Sequence, residues 1–101
     1  MTQHVEPPTH IEGRHLVDLR LQLQSLLRHD PEIHLDCSNV LQLSPAGQAL
    51  LVGAARAARR QGGRLHLDAP SPQMRRALRS TGLHHLLPVG QAVVSGSAAA
   101  V

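Results

Sequence analysis

Two Ser-Pro dipeptides, Ser44-Pro45 and Ser71-Pro72, each place a hydroxyl just before a run of apolar residues with helical spacing. A hydroxyl at a helix N-terminus can accept a phosphoryl group, because the free N–H groups and the helix dipole stabilise the added charge. The same serine can instead be an N-cap, whose oxygen accepts a hydrogen bond from the first turn. Proline suits the next position, where its missing N–H would have had no partner. Capping alone explains both dipeptides.

Histidine and aspartate alternate with apolar residues in two other segments, Glu32–Cys37 and Arg64–Ala69. If these segments are neighbouring strands, four polar side chains share one face: His34, Asp36, His66 and Asp68. Imidazole and carboxylate groups are acceptable ligands for zinc or another divalent ion. Solvation of an exposed sheet face explains the same residues, and we assign no metal site and no cofactor.

The sequence contains none of the common catalytic motifs. It has no glycine-rich phosphate loop, no G-x-S-x-G nucleophile elbow and no HExxH, so we predict that the protein is not an enzyme. The single cysteine, Cys37, lies on the apolar face of its predicted strand, and we expect it to be inert packing. One cysteine allows no internal disulfide, which fits a reducing compartment.

The composition excludes further classes. Phenylalanine, tyrosine and tryptophan are absent among the 101 residues, which argues against a protein that stacks single-stranded bases on aromatic side chains. The N-terminal residues lack the apolar region of a signal peptide, and no apolar stretch is long enough to span a membrane. We therefore predict a cytoplasmic protein.

Hydrophobic periodicity predicts the elements that position these groups. Amphipathic helices are expected from about Leu16 to Asp30, from Pro45 to Gln61 and from Pro72 to Thr81. Alternation predicts strands in the two His/Asp segments, and residues 1–9 suggest a short edge strand at best. On the second helix we expect Leu51 and Ala54 to face the core and Gln48 to face water.

Strands that alternate with helices through short connections predict an α/β fold, a small mixed sheet with a right-handed βαβ crossover. Because the strands are apolar on one face only, the helices should cover mainly one side of the sheet. We predict one domain over residues 1–90, with a shortened N-terminal strand region, and a flexible tail over 91–101. Leu83, Leu86 and Leu87 are expected to pack a final turn, and Gln91–Val94 is a weak candidate strand.

The segment LDCSNVLQLSPAGQALL, residues 35–51, resembles the STAS domain, the module shared by anti-sigma-factor antagonists and sulfate transporters. In that family a strand ends in Asp and a small apolar loop follows. Asp-Ser or Asp-Thr, one residue and Gly then open an apolar helix. The matching positions here are Asp36, Val40, Leu43, Gly47, Leu50 and Leu51. The resemblance runs from Ile33 to Val89, since the second strand and the helix after it also match.

The family's phosphoacceptor position departs from the pattern. Pro45 stands where the family has Ser or Thr, and Ser44 stands where it usually has Asp. Proline has no hydroxyl, so phosphorylation at this position is chemically impossible. We expect the Ser44 hydroxyl to turn inward as a helix cap rather than to replace the missing acceptor.

The resemblance implies a regulatory, non-catalytic module that binds another protein, with binding not controlled by phosphorylation at the usual site. The implied partner is an anti-sigma factor with kinase activity. The alternative within the family is the ATPase of a bacterial lipid-transport ABC complex, and chemotaxis-type signalling is a third role. The expected docking residues are Asp36, Ser44, Pro45, Ala46, Gly47 and Gln48. Ala46, Gly47 and Ala49 are small enough to let a partner backbone approach, and a homodimer is a further alternative.

Charge is distributed unevenly along the chain. Residues 1–36 carry three arginines against six acids, whereas residues 37–101 carry seven arginines against Asp68 alone. An electrostatic surface is therefore expected from Arg56, Arg59, Arg60, Arg75, Arg76 and Arg79. Solvated helix faces explain these arginines best. The alternative from a different class is a non-specific nucleic-acid binder whose affinity would fall steeply with salt.

Overall fold

The computed structural model describes residues 2–82 of the chain. In chain order the elements are β1 (Gln3–Val5), β2 (His10–Ile11), α1 (His15–His29), β3 (Glu32–Asp36), β4 (Gln42–Leu43), α2 (Pro45–Arg60), β5 (Arg64–Asp68) and α3 (Pro72–Thr81). The predicted helices and long strands agree with these bounds to within one or two residues. The final turn at Leu83–Leu87, the weak strand at Gln91–Val94 and the tail over 91–101 lie outside the described residues.

Three strands form the main sheet in the order β1-β3-β5, with both pairings parallel. A separate parallel pair joins β2 to β4, so that Ile11 lies opposite Leu43. The predicted α/β class and the crossover through a helix are confirmed, and the short edge strand near the N-terminus is β1. Every strand pairing within residues 2–82 is parallel. The described part of the chain therefore contains no antiparallel pairing of the kind that a mixed sheet includes. The β4 strand was not predicted, because two residues show no alternation.

The core lies on one face of the main sheet. Ile33 and Leu35 of β3 and Leu65 and Leu67 of β5 are fully buried. The helices cover them with Leu19, Leu23 and Leu27 from α1, Leu51, Ala54 and Ala58 from α2, and Met74 and Leu78 from α3. Burial of each leucine, isoleucine or methionine side chain in this set contributes about 1.5–3 kcal/mol. The opposite face carries His34 and His66, which are half-buried, as alternation predicts.

Local signals begin and end the helices. Ser44 and Ser71 are the N-caps of α2 and α3, each followed by proline in the first turn. Gly82 ends α3 in the left-handed conformation, with φ of 77°, a conformation that glycine adopts without a steric penalty. These capping and stop residues explain why the bounds of α2 and α3 were predictable.

Candidate protein-binding site

Ser44 uses its hydroxyl to hold the start of α2. The Oγ accepts a hydrogen bond from the Gly47 N–H at 3.0 Å and donates to the Ile11 carbonyl at 3.3 Å. The Ser44 N–H also donates to the Ile11 carbonyl, at 3.1 Å. The hydroxyl is therefore turned inward and engaged twice, as the capping interpretation predicts.

Pro45 is the first residue of α2 and is exposed. Its ring supplies neither a hydroxyl nor an N–H at the position where the resemblance places a phosphoacceptor. The first turn of α2 contains no acidic residue. A phosphate at position 45 is excluded by the chemistry of proline, and the neighbouring hydroxyl is committed to the cap.

Gly47 is buried against β2, which contradicts the expectation that it offers a partner a close approach. A Cβ at this position would clash with the Ile11 carbonyl oxygen and would lie 2.9 Å from Ile11 Cγ2 and 3.2 Å from Leu43 Cδ1. The absence of a side chain thus serves internal packing of α2 on the β2–β4 pair. Ala46 and Ala49 are exposed and keep the expected accessibility.

Gln48 is also buried, at 2% exposure, although we expected it to face water and to contact a partner. Its Oε1 accepts a hydrogen bond from the Thr81 hydroxyl at 2.5 Å. This contact joins the first turn of α2 to the last turn of α3, so Gln48 has a structural partner within the chain. The prediction that Gln48 faces water was wrong, because a buried amide is stable only when another group satisfies its hydrogen bonds, and helical spacing does not reveal a partner as distant as Thr81.

Asp36 ends β3 as predicted and is exposed. Its Oδ1 accepts hydrogen bonds from the Ser38 N–H at 3.1 Å and from the Ser38 hydroxyl at 2.7 Å. Further along the same loop, Leu41 is 49% exposed, and its N–H donates to the Thr9 carbonyl at 2.7 Å. No function was predicted for Leu41. The available signal was an apolar residue, next to Val40 and Gln42, in a loop.

An apolar groove between α1 and α2 starts at Ala46. Its volume is about 510 Å³. The α2 wall consists mainly of small residues, Ala46, Ala49, Gly53, Ala54 and Ala57, with Leu50, and the α1 wall consists of Leu16, Val17, Arg20, Leu23, Gln24 and Leu27. Val17 and Leu21 on α1 are 62% and 59% exposed. The groove was not predicted, since it depends on how the two helices pack.

The six arginines are all exposed, as expected of solvated helix faces. Three lie near the end of α2 and three along α3: Arg56, Arg59, Arg60, Arg75, Arg76 and Arg79. The end of α3 contacts the start of α2, through the hydrogen bond between Thr81 and Gln48. Arg60 lies about 18 Å along α2 from Gln48, at a rise of 1.5 Å per residue, and is therefore far from this contact. The arginines therefore form two groups on different helices.

Cys37 is fully buried, and its thiol faces the Leu35 carbonyl at 3.5 Å. Burial, with smaller contributions from the Asp36 and Asp68 carboxylates, raises the pKa of the Cys37 thiol to about 12. The thiolate is the reactive form of cysteine, so the burial of Cys37 and the raised pKa of its thiol are consistent with the packing role predicted for it.

The polar face of the main sheet brings together only part of the predicted His/Asp group. The Nδ1 of His34 lies 2.7 Å from Asp68 Oδ2, and the Nε2 of His66 lies 2.7 Å from Glu32 Oε2. Asp36 is bonded to Ser38 instead, and Glu32 takes its place. Glu32, His34 and His66 offer metal-ligand atoms within 4.8 Å of one another.

Comparisons with known proteins show the family. A family model described as "Mlab, STAS domain" matches residues 4–88. No curated protein and no solved structure matched the chain. Within residues 2–82, none of the helices has the length and apolar character needed to cross a membrane.

Proposed function

The chain belongs to the STAS domain family, and on that premise we propose that it binds another protein constitutively, without a phosphate switch at position 45. The family comprises regulatory or protein-interaction modules of the anti-sigma-factor antagonist type and is generally non-enzymatic. Pro45 carries the proposal, because it occupies the first turn of α2 as an exposed residue without a hydroxyl.

The docking surface that we propose comprises Asp36, Leu41, Pro45, Ala46 and Ala49, which we call the helix-start surface. All five are exposed. Residues 9–11 support this surface from below, because the Thr9 carbonyl accepts from the Leu41 N–H and the Ile11 carbonyl accepts from the Ser44 N–H. A surface that is fixed in advance loses less conformational entropy on binding. Gly47 and Gln48 hold the surface in place from inside.

The partner's contact segment is expected to be apolar with carboxylates on its flank. It would lie along the groove that continues from Ala46, whose walls are mainly apolar. Arg20 lines this groove, and Arg56 lies on the same helix as the small residues of its α2 wall. Since α2 contains no acidic residue, a complementary segment would supply the negative charge.

Ala46→Arg tests the proposal in the protein expressed in its own cells. The wild-type chain should retain a partner stoichiometrically, and the variant should lose it, because a long charged side chain would fill the mouth of the groove. With the purified partner, we expect binding to weaken at least about tenfold. Gln22→Arg is the matched control, because it adds the same charge at an exposed α1 position outside the groove lining.

Retention of the same partner by Ala46→Arg, with unchanged affinity, would place the interface elsewhere. The identity of the partner separates two candidate functions. A sigma-regulating kinase would support the anti-sigma-factor antagonist role. A transporter ATPase would support the second candidate, a subunit of a lipid-transport complex, which Pro45 favours because that role does not depend on a phosphate at this position.

A further inference from the structure

Three histidines form a row across the open face of the main sheet. His4, His34 and His66 are in register on β1, β3 and β5. The His34 and His66 rings stack with centroids 4.0 Å apart and planes 7° apart, and His4 stacks on His34 at 5.0 Å. Side chains in register on parallel strands point to the same face, so the sheet itself sets the spacing of these imidazoles.

Asp68 fixes the orientation of His34. A carboxylate accepts hydrogen bonds but does not donate them, so the Nδ1 of a neutral His34 must carry the proton that it shares with Asp68 Oδ2 at 2.7 Å. The lone pair of His34 is then on Nε2, which lies 4.0 Å from Glu32 Oε2. A carboxylate that holds the other nitrogen of a metal-binding histidine is a recurrent arrangement in zinc sites.

We propose that Glu32, His34 and His66 bind one Zn²⁺ ion on this face, with Asp68 as the positioning residue of His34. Glu32 Oε2 is shared between the two rings, at 2.7 Å from His66 Nε2 and 4.0 Å from His34 Nε2. Ligand atoms of a tetrahedral zinc ion lie about 3.3 Å apart, given bonds of about 2.0–2.1 Å. The two observed distances bracket that value. The stacked rings, whose planes lie 7° apart, direct their in-plane lone pairs nearly parallel, so both His34 and His66 must rotate their rings substantially to share one ion.

The surroundings suit a divalent transition ion. The ligand side chains are 25–37% exposed, so the ion can enter from solvent and keep a water molecule in its fourth position. Two imidazoles and one carboxylate select zinc-type ions over Mg²⁺ or Ca²⁺, which prefer oxygen ligands. Binding would require His66 to move its proton from Nε2 to Nδ1. Arg64 lies opposite Glu32 in the strand register, with its side chain exposed to solvent.

A second set of ligand atoms, from His4, His34 and Asp68, also lies within 4.8 Å. It competes with the proposed set because both use His34. We assign Asp68 to positioning rather than to direct ligation, since it already holds His34 Nδ1 in a short hydrogen bond. This choice can be tested by comparing His4→Gln with Glu32→Gln.

The test is a calorimetric titration of the tag-free, metal-stripped full chain with zinc chloride at about pH 7.5, because protons compete with zinc for its ligands at lower pH. We expect one ion per chain with a dissociation constant of about 10 µM or tighter. His34→Gln, His66→Gln and Glu32→Gln should each weaken binding at least about tenfold, and Asp68→Asn about tenfold to a hundredfold. Replacement of zinc by Co²⁺ should give the visible absorption of a tetrahedral site.

Three controls separate this site from the other histidines. His15→Gln removes an exposed imidazole on α1, His84→Gln with His85→Gln removes the adjacent pair of the sequence, and His4→Gln removes the end of the row. All three should bind zinc as the wild type does. No binding by the wild type at about 100 µM zinc, or unchanged binding by His66→Gln, would overturn the proposal. Loss in His4→Gln with retention in Glu32→Gln would also overturn it, in favour of the second set.

Discussion

The two Ser-Pro helix starts are nearly identical in backbone geometry and differ in their surroundings. Ser44 has φ −73° and ψ 163°, and Ser71 has φ −62° and ψ 160°. Each hydroxyl accepts from the N–H three residues later, at 3.0 and 3.1 Å, and donates to a carbonyl of a distant segment, Ile11 for Ser44 and Val40 for Ser71.

Exposure is what distinguishes the two starts. Ser71 is buried at 5%, and the side chain three residues later, Met74, is fully buried. Ser44 is half-buried, and the exposed residues Pro45 and Ala46 follow it at the mouth of the α1–α2 groove. The same capping chemistry therefore supports core packing at one helix and an open surface at the other. The comparison shows that the Ser-Pro motif specifies where a helix starts but not whether that start is buried in the core or exposed on the surface.

The largest expected effect concerns the residue three positions after each serine. Gly47→Ala should lower the free energy of unfolding by about 3 kcal/mol, because the new methyl group would overlap the Ile11 backbone. Met74→Ala should cost a similar amount, about 2–5 kcal/mol, for the opposite reason, a cavity in the core. Urea denaturation monitored by circular dichroism measures both.

Gly53→Ala is the matched control for Gly47→Ala. It lies in the same helix, and a Cβ there would meet no atom within 4 Å. It should raise the free energy of unfolding by about 0.5–1 kcal/mol through helix propensity. If Gly47→Ala also proved stabilising, α2 would not pack on β2 as described, and Gly47 would return to the candidate docking residues.

The second effect compares the two caps directly. Ser71→Ala should cost about 2 kcal/mol and Ser44→Ala about 1 kcal/mol, since water can replace a lost hydrogen bond only at the half-buried site. Both values come from the same denaturation measurement. Equal losses would mean that burial does not distinguish the two helix starts.

The smallest effect on stability is expected for Pro45→Ser. The substitution should lower the free energy of unfolding by about 0.5–1 kcal/mol, because the unfolded chain gains conformational freedom when the proline is removed. The same substitution introduces a hydroxyl at the family's phosphoacceptor position, so a partner that is a kinase should phosphorylate the variant. Mass analysis after incubation with that kinase should find a phosphate on the variant and none on the wild type. A phosphate mapped to Ser44 of the wild type would contradict our assignment of that hydroxyl to the cap.

Sequence reasoning succeeded where the signal was local. The Ser-Pro caps and Gly82 predicted the bounds of α2 and α3, and alternation predicted which residues of β3 and β5 are buried. It failed where a distant residue decides: Gln48 is buried because Thr81 satisfies it, and Gly47 is constrained by Ile11. On the polar face of the main sheet, alternation along β3 was enough to place Glu32 beside the histidines. The position of His4 on the same face could not be predicted, because it follows from the pairing of β1 with β3, which no local pattern indicates.

The parallel pairing of every described strand has a consequence for folding. The register partners His4 and His34, His10 and Gln42, and His34 and His66 are thirty to thirty-two residues apart. No strand can pair with a neighbour through a tight turn, because a parallel partner arrives only after a crossover connection. During synthesis, β1 and β2 must therefore wait unpaired until α1 and β3 or β4 have left the ribosome. Non-local closure of this kind slows folding, and it leaves β1 and β2 without their sheet partners while thirty to thirty-two further residues are synthesised.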